Sequence, residues 1–566
     1  MSAINETIGR QIAWNRLMAV VEEQARTLIR IAFSPTVREA GDLSAGVFDL
    51  DGRMLAQAVT GTPGHVNAMA AAVRHVLDRF PLAGAKPGDI FATNDPWRGT
   101  GHLNDFTVVT PVFRRGAPLA IVASTSHMVD VGGLGFGSDG RDVHEEGIFI
   151  PIVRLAGDGG FDATLLEVIR ANVRFPMEVE GDLRALAGCN EVCGRRLIDL
   201  ADELALVDFT ALARFILGAS ERAMREAIGA LPPGRFSHAM MIDGLDEPLE
   251  LRAALTIGGG EIAINFAGSS PQVDRGINVP MIYTEAMASF GVRCVVGGEI
   301  PNNAGSLAPI TVRAPEGCIL NAPYPAPVSA RHVVGQMIPD VVLGALAQVA
   351  PDRVPAEGAS ALWILAMSGG RAGEIGDARA FAVNCFHNGG TGARPGKDGL
   401  SATAFPSGVR AGSIEVTEAG APLVFWKKAY RPGSGGAGEF RGGLGQTIEV
   451  GHIAGEAFTV SCLFDRVRHP ARGRFGGEAG AEGSVSLSSG SALPSKGRQR
   501  IPAHETVIFE TPGGGGLGDP SRRDPERTAA DRVSGFVKAT AELPTSGSRQ
   551  ATTAARGSFD GGIAGG

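Results

Sequence analysis

The sequence predicts an α+β fold: a large, elaborated chain with helices and strands mixed in its N-terminal half and a glycine-rich, largely β C-terminal half. Three observations point there. Apolar residues recur at helical spacing early in the chain, short strand-like runs follow, and glycine supplies 80 of the 566 residues, about twice the usual ~7%. The glycines have no fixed period, so collagen is excluded. They imply many tight turns and close backbone approaches.

Taken in order, Leu17, Val20, Val21, Leu28 and Ile31 form an amphipathic opening helix. A loop and a hairpin follow, turning at Asp51-Gly52. A second helix runs from about Asn67 to Phe80, with Met69, Val73, Val76, Leu77 and Phe80 on one face and Pro81 as its stop. Residues 89–156 read as strand and loop, and residues 164–231 as helical. The "PPGR" after Leu231 is the best boundary signal in the chain. Three strands come next, then helices near 281–296 and 327–349. Short strands with glycine-rich turns fill about 360–510. The expected regions are 1–231, an α/β region with a candidate metal site; 232–520, mixed and β-rich; and 521–566, a short helix and then a disordered tail.

The formal net charge of −8 argues against a nucleic-acid binder. No apolar run reaches the ~18–20 residues of a membrane span, and the first residues carry no secretory pattern, so a cytoplasmic protein is expected. The six cysteines read as small buried hydrophobes, Cys189 and Cys193 on one helix face.

Chemistry concentrates in "NDPWRGTGHLNDFTVVTPVF" and the run that ends at His127. Residues 106–113 and 118–126 form a hairpin across "RRGA". With the turn centred between residues 115 and 116, residue 104 faces residue 127, and His127 lies beside Asp105 and close to His102. Opposed Cβ atoms are ~4.5–5.5 Å apart in such a ladder. Two imidazoles and a carboxylate on one face suit Mn²⁺, Fe²⁺ or Zn²⁺. The same pattern also fits a capped loop with His127 as a satisfied polar residue. His65, just before a helix, reads as a cap or as a donor to the cluster. Nucleotide motifs fail: "GARPGKD" has the wrong spacing for a P-loop, and Gly513, Gly515 and Gly518 are followed by "DP" rather than a helix.

These residues resemble the hydantoinase B/oxoprolinase family, which includes N-methylhydantoinase B-type subunits and is related to the acetone carboxylase large subunit. The resemblance runs from about residue 5 to about residue 520. It rests on "SPTVREAGDLSAGVFD", "NDPWRGTGHLNDFTVVTPVF", "SHMVDVGG", "EEGIFIPIVRL", "NVRFPMEVEGDLRA", "FAGSSPQVDRGINVP", "RGGLGQ" and "TPGGGGLGDP". In the acetone carboxylase branch two histidines and an aspartate hold manganese, and those positions fall on His102, Asp105 and His127. The resemblance therefore implies a divalent transition metal, manganese foremost, with zinc or iron as alternatives.

It also implies a division of labour. A hydantoinase A-type ATPase subunit would phosphorylate the substrate, so ATP would serve this chain only indirectly. This chain would then complete an ATP-dependent hydrolysis of a cyclic amide such as a hydantoin, an N-methylhydantoin or 5-oxoproline. Asp130, His144 and Glu146 are the candidates to move the proton there. An alternative is the large subunit of an acetone- or acetophenone-type carboxylase. A second alternative is a non-catalytic partner that positions the ATPase subunit, which loss or burial of the trio would favour. The stretch "LPTSGSRQATTAARG" departs from the Tyr-Gly-Val-like ending usual in the family.

Overall fold

The computed structural model describes residues 3–370 and 381–537. The disordered tail expected after the last helix falls largely on 538–566, outside the described residues.

Helix α1 (Ala3–Ile31) buries Leu17, Val21 and Leu28, as its periodicity predicts, and leaves Ile31 at an exposed end. A single turn, α2 (Pro35–Arg38), is capped by Ser34, whose Oγ accepts from the Val37 N–H. Strands β1 (Leu43–Phe48) and β2 (Met54–Gln57) form the hairpin around Asp51-Gly52. Helix α3 (Pro63–Arg79) starts four residues before its expected position, because Pro63 opens the first turn without needing its missing N–H. Strands β3 (Ile90–Thr93), β4 (Asp105–Arg114) and β5 (Ala117–His127) follow. The turn α4 (Val143–Glu146) comes next, then β6 (Val153–Gly157) and β7 (Gly160–Phe161). Three helices complete this half: α5 (Ala163–Asn172), α6 (Pro176–Glu203) and α7 (Thr210–Gly229).

The seven strands make one antiparallel sheet in the order β2-β1-β5-β4-β3-β6-β7. Both of its faces are covered. Val108 and Val122 pack with α1 and α6, whereas Val109, Ile121 and Ala123 pack with α3. This explains why β5 is an almost unbroken buried run and not a half-polar strand. Asp105 and His127 have the parity of Val109 and Ala123, so they belong to the face that α3 covers.

After the 230–233 turn, β8 (Gly234–Ile242), β9 (Leu249–Gly258) and β10 (Glu261–Asn265) form a second sheet. Helices α8 (Met281–Arg293) and α9 (Ala304–Leu307) lead to its fourth strand, β11 (Ile310–Arg313). The short α10 (His332–Gly335) and the apolar α11 (Ile338–Leu346) come next. Helix α8 packs against α3, which joins the two halves beside the end of the β4–β5 hairpin.

Two four-stranded sheets occupy the last third. One comprises β12 (Leu362–Gly369), β13 (Phe381–Asn388), β16 (Phe458–Leu463) and β18 (Lys496–Ile501). Between β13 and the next strand lies α12 (Ile414–Gly420). The other sheet comprises β14 (Leu423–Tyr430), β15 (Gln446–His452), β17 (Ser484–Leu487) and β19 (Val507–Glu510). A final helix, α13 (Pro525–Val533), is the short one expected near 521. None of the described helices is long and apolar enough to cross a membrane.

The short strands expected over 360–510 are present as β12–β19, and the glycine-rich stretch that follows them packs backbone against backbone. Residues 512–518 run extended through the middle of four other segments. Gly514 N–H donates to Gly443 O, Gly515 N–H to Glu357 O, Gly516 N–H to Glu478 O and Gly518 N–H to Arg474 O. The chains lie so close that a Cβ on Gly514 would sit 1.9 Å from the Thr391 carbonyl oxygen. Glycine here is a packing requirement, since only a residue without a side chain lets backbone meet backbone in several directions at once.

A candidate metal centre at the end of a hairpin

The β4–β5 turn uses Arg115 and Gly116, both at positive φ, as a two-residue hairpin demands. From there the ladder pairs Arg114 with Ala117 and Phe113 with Pro118, then slips by one residue at a bulge, so that Val112 pairs with Ala120. The slip sets Asp105 directly opposite His127. The sequence places residue 104 there, because an unbulged ladder keeps its register from the turn onward; the bulge supplies the missing residue.

His102, Asp105 and His127 converge, each no more than 2% exposed, with one ligand atom from each within 4.8 Å of the others. Asp105 Oδ2 is saturated by three donors: Thr100 Oγ1 at 2.8 Å, Arg331 Nη2 at 2.6 Å and His65 Nε2 at 2.9 Å. That leaves Oδ1 facing the two imidazoles, 2.8 Å from His102 Nε2 and 3.1 Å from His127 Nδ1. His102 Nδ1 lies 2.8 Å from the Ser329 carbonyl oxygen. A carbonyl can only accept, so the proton sits on Nδ1 and the Nε2 lone pair points inward. Burial, followed by the Arg331 charge, pushes the His102 imidazole down to about 4, so it is neutral near pH 7. Two acceptors therefore meet at 2.8 Å with no hydrogen bond between them, and His102 Nε2 and His127 Nε2 both lack a partner. A cation shared by these atoms would satisfy the contact, and a histidine whose other nitrogen donates to a backbone carbonyl is the usual form of a metal ligand.

The surroundings hold the ligands in place. Burial opposes ionisation of Asp105, but His65 and Arg331 outweigh it and keep the carboxylate well below its usual range. Burial likewise opposes charge on His65, yet Asp105 and Asp42 raise it. The Arg331 guanidinium stacks 4.0 Å above the Tyr283 ring. It fits because Gly101, at φ +99°, has no Cβ; one would lie 2.5 Å from Arg331 Cδ. Phe136 closes the remaining side, its ring 5.9 Å from His102, 5.1 Å from His127 and stacked on His332. His332 is buried with its Nε2 unpartnered, and burial drives its imidazole well down.

The three residues expected to move protons separate into three settings. Glu146 is nearly fully buried, and burial pushes its carboxyl up to about 8. Its Oε1 accepts from the Ser329 N–H at 2.8 Å, while Oε2 is unpartnered, so Ser329 links Glu146 to His102. Asp130 accepts from Gly132 N–H and from both the backbone and the guanidinium of Arg174, and is tied into its own loop. His144 bonds through Nε2 with the Tyr324 hydroxyl at 2.9 Å, in an aromatic group that also holds Trp97. Sequence reasoning missed Arg331, His332, Ser329 and Phe136 as parts of this site. The first three come from the start of α10 and the loop before it, some 200 residues away, and only the adjacent Arg-His in "VSARHVV" hints at them. The expected thiols Cys189 and Cys193 are buried, with burial lifting Cys189 to about 12.

Residues 6–520 match the hydantoinase B/oxoprolinase family. The B-type subunit of a D-/L-hydantoinase from Pseudomonas sp. (strain NS671) is 28% identical, with 94% of this chain aligned to 93% of that protein. The beta subunit of caprolactamase from Pseudomonas jessenii is 29% identical over 91% of each chain. The 5-oxoprolinase of Dictyostelium discoideum is 30% identical, but this chain spans only 40% of its length. Among solved structures, the ATP-dependent caprolactamase of Pseudomonas jessenii superposes with a TM-score of 0.86 at 26% identity, covering 94% of each chain. Acetone carboxylase, in its nucleotide-free form, shares the fold at a TM-score of 0.82 and 20% identity, over 94% of this chain and 78% of that one. With its fold and its sequence in agreement along nearly the whole length, this chain belongs to the hydantoinase B/oxoprolinase family.

Proposed function

We propose that this chain is the metal-bearing subunit of an ATP-dependent cyclic-amide hydrolase, with ATP used by a separate, hydantoinase A-type partner subunit. The observation that carries the reading is the paired acceptor contact between His102 Nε2 and Asp105 Oδ1, buried and unrelieved within the described residues. The near end-to-end relatives, named for a hydantoinase and a caprolactamase, make a cyclic amide the natural substrate class.

His102, Asp105 and His127 would hold a divalent transition metal, manganese first, which would polarise an amide oxygen and acidify water when bound. The protein's own part is positional. Thr100, Arg331 and His65 fix Asp105 through Oδ2 and leave Oδ1 to the site. Ser329 fixes the tautomer of His102. Glu146, held protonated by burial, accepts from the Ser329 N–H through Oε1 and keeps its proton on the unpartnered Oε2. Phe136 excludes water from the imidazoles. Burial of the trio is what a non-catalytic subunit would also show. Its unsatisfied nitrogens favour the catalytic reading, because a structural cluster would be fully paired.

The test is ATP turnover by the purified two-subunit complex with hydantoin, 5-oxoproline or a simple lactam. Coupled ring opening that His102→Ala abolishes, along with the bound metal, supports the reading. Coupled opening at the wild-type rate by His102→Ala would make the chain a positioning subunit, and turnover only with a ketone and bicarbonate would make it a carboxylase.

A further inference from the structure

A second cavity, of about 30 Å³, lies between α2 and the β13–α12–β14 region. One water needs at least ~10–15 Å³ measured this way, so there is room for roughly two or three water-sized groups. Cys385 and His387 share the β13 face that lines it, with Thr417 and Lys428 opposite. Phe386, between them, packs instead with Leu362, Ile364 and Phe136. Phe136, the ring that covers the imidazole trio, also packs against the cluster that holds Phe386.

Three features of this cavity ask for a ligand. His387 is 3% exposed, yet neither ring nitrogen has a partner. Buried imidazole nitrogens are normally paired. Lys428 is half-buried, and among the described residues its ammonium makes no ion pair or side-chain hydrogen bond. The carboxylates nearby make no ion pair with it: Glu39 lines the cavity beyond ion-pair distance, and Glu415, which accepts from Ser413, attracts the ammonium without contacting it. An unpaired cation beside an unpaired imidazole in a partly open cavity fits an anion that offers oxygen acceptors. Glu39 on the same wall disfavours a dianion, because like charges brought together are costly.

We propose that this cavity is a binding site for a small monoanionic carboxylate, held by the Lys428 ammonium and a His387 N–H. The site is separate from the metal trio and does not depend on the hydrolase reading.

The test titrates the full-length chain with acetate and reads its thermal midpoint, against sodium chloride at equal ionic strength. Wild type shows a saturable rise beyond chloride, and Lys428→Gln weakens the apparent affinity at least tenfold. His127→Ala keeps the wild-type response, which separates this site from carboxylate captured at the metal centre. As a direct check, ¹³C-labelled acetate broadens on binding wild type and is displaced by formate but not by chloride. This reading holds even if Lys428→Gln does not fold. The proposal is overturned if acetate acts no differently from chloride, which would mean the cavity holds water only. It is equally overturned if Lys428→Gln responds like wild type, or if His127→Ala loses the response.

Discussion

Two of the buried clusters of charge among the described residues are built on opposite principles. In the C-terminal half, Arg466 Nη2 lies 3.0 Å from Asp340 Oδ2, and Arg466 Nη1 lies 3.3 Å from Glu357 Oε2. Ser360 Oγ donates to Asp340 Oδ2 at 2.7 Å, and Arg472 donates to Glu357 through its backbone and its side chain. No buried polar atom of these residues is without a partner. At the hairpin end, by contrast, nitrogens of His65, His102, His127 and His332 are all left over. Burying charge is costly unless every group is satisfied, so a complete cluster reads as architecture and an incomplete one as a place for something else. Burial alone would not have told them apart.

The sharpest way to break the comparison is Arg466→Leu. It removes the cation and leaves Asp340 and Glu357 buried together, for which a loss of about 3–5 kcal/mol is expected in denaturant unfolding. The metal content of the protein that still folds should not change. A loss below about 1 kcal/mol would show that the network tolerates an uncompensated carboxylate pair and is not a structural clasp.

The reverse experiment is His127→Gln. Elemental analysis of wild type should find about one transition metal per chain, and the variant close to none, with an unfolding midpoint near that of metal-free wild type. If neither protein retains metal after supplementation, the orphaned nitrogens belong to a structural cluster and the contrast with Arg466 collapses.

How much of this contrast could be read in advance follows from the range of each interaction. The trio was legible because a hairpin is local: a two-residue turn and alternation bring His127 back to Asp105 within 22 positions. Even so the register was off by one, since nothing in "TPVFRRGAPLA" marks the bulge. His65 was readable only as a helix-start residue; that it reaches Asp105 depends on which sheet face α3 covers. Arg331 and His332 were out of reach, because the helix expected over 327–349 does not say which partners its first residues meet, and they join the hairpin through tertiary packing. The glycine-rich third was legible only in part, for a related reason. Composition signals close approach, but a tight turn and a bundle of extended chains demand the same residue, and only the partners of Gly514 to Gly518 distinguish them. Of the proton-transfer candidates, Glu146 joins the site through Ser329, while Asp130 and His144 make bonds elsewhere that loop positions alone do not reveal.

Glu146 also gives the comparison a pH dependence. Its carboxyl is lifted from 4.5 to about 8 by burial. Across that window the folded chain keeps a proton that the unfolded chain has released, so stability falls as pH rises. Each pH unit of that window is worth ~1.4 kcal/mol, which makes the full effect on the order of a few kcal/mol. Glu146→Gln carries no such proton. Unfolding free energies at pH 5, 6.5 and 8 should therefore favour the variant increasingly at higher pH, and parallel curves would mean that Glu146 is ionised in the folded protein.

The smallest effects make the finest distinction, because the two clusters share a motif: a hydroxyl donating to one oxygen of a buried aspartate. Thr100 does this for Asp105 at 2.8 Å and Ser360 for Asp340 at 2.7 Å. Thr100→Val keeps the shape and leaves Asp105 Oδ2 with Arg331 and His65, so the fold should hold. The loosened carboxylate should bind metal about tenfold more weakly, the low end of what outer partners of a metal ligand contribute. Ser360→Ala should leave metal affinity alone and lower stability by about 1–2 kcal/mol, the cost of one lost bond to a buried charge. Metal titration and denaturant unfolding of both variants test this crossed pattern. If both substitutions change stability and neither changes metal affinity, the hydroxyl on Asp105 is as structural as its counterpart, and the two clusters differ less than their bonding partners imply.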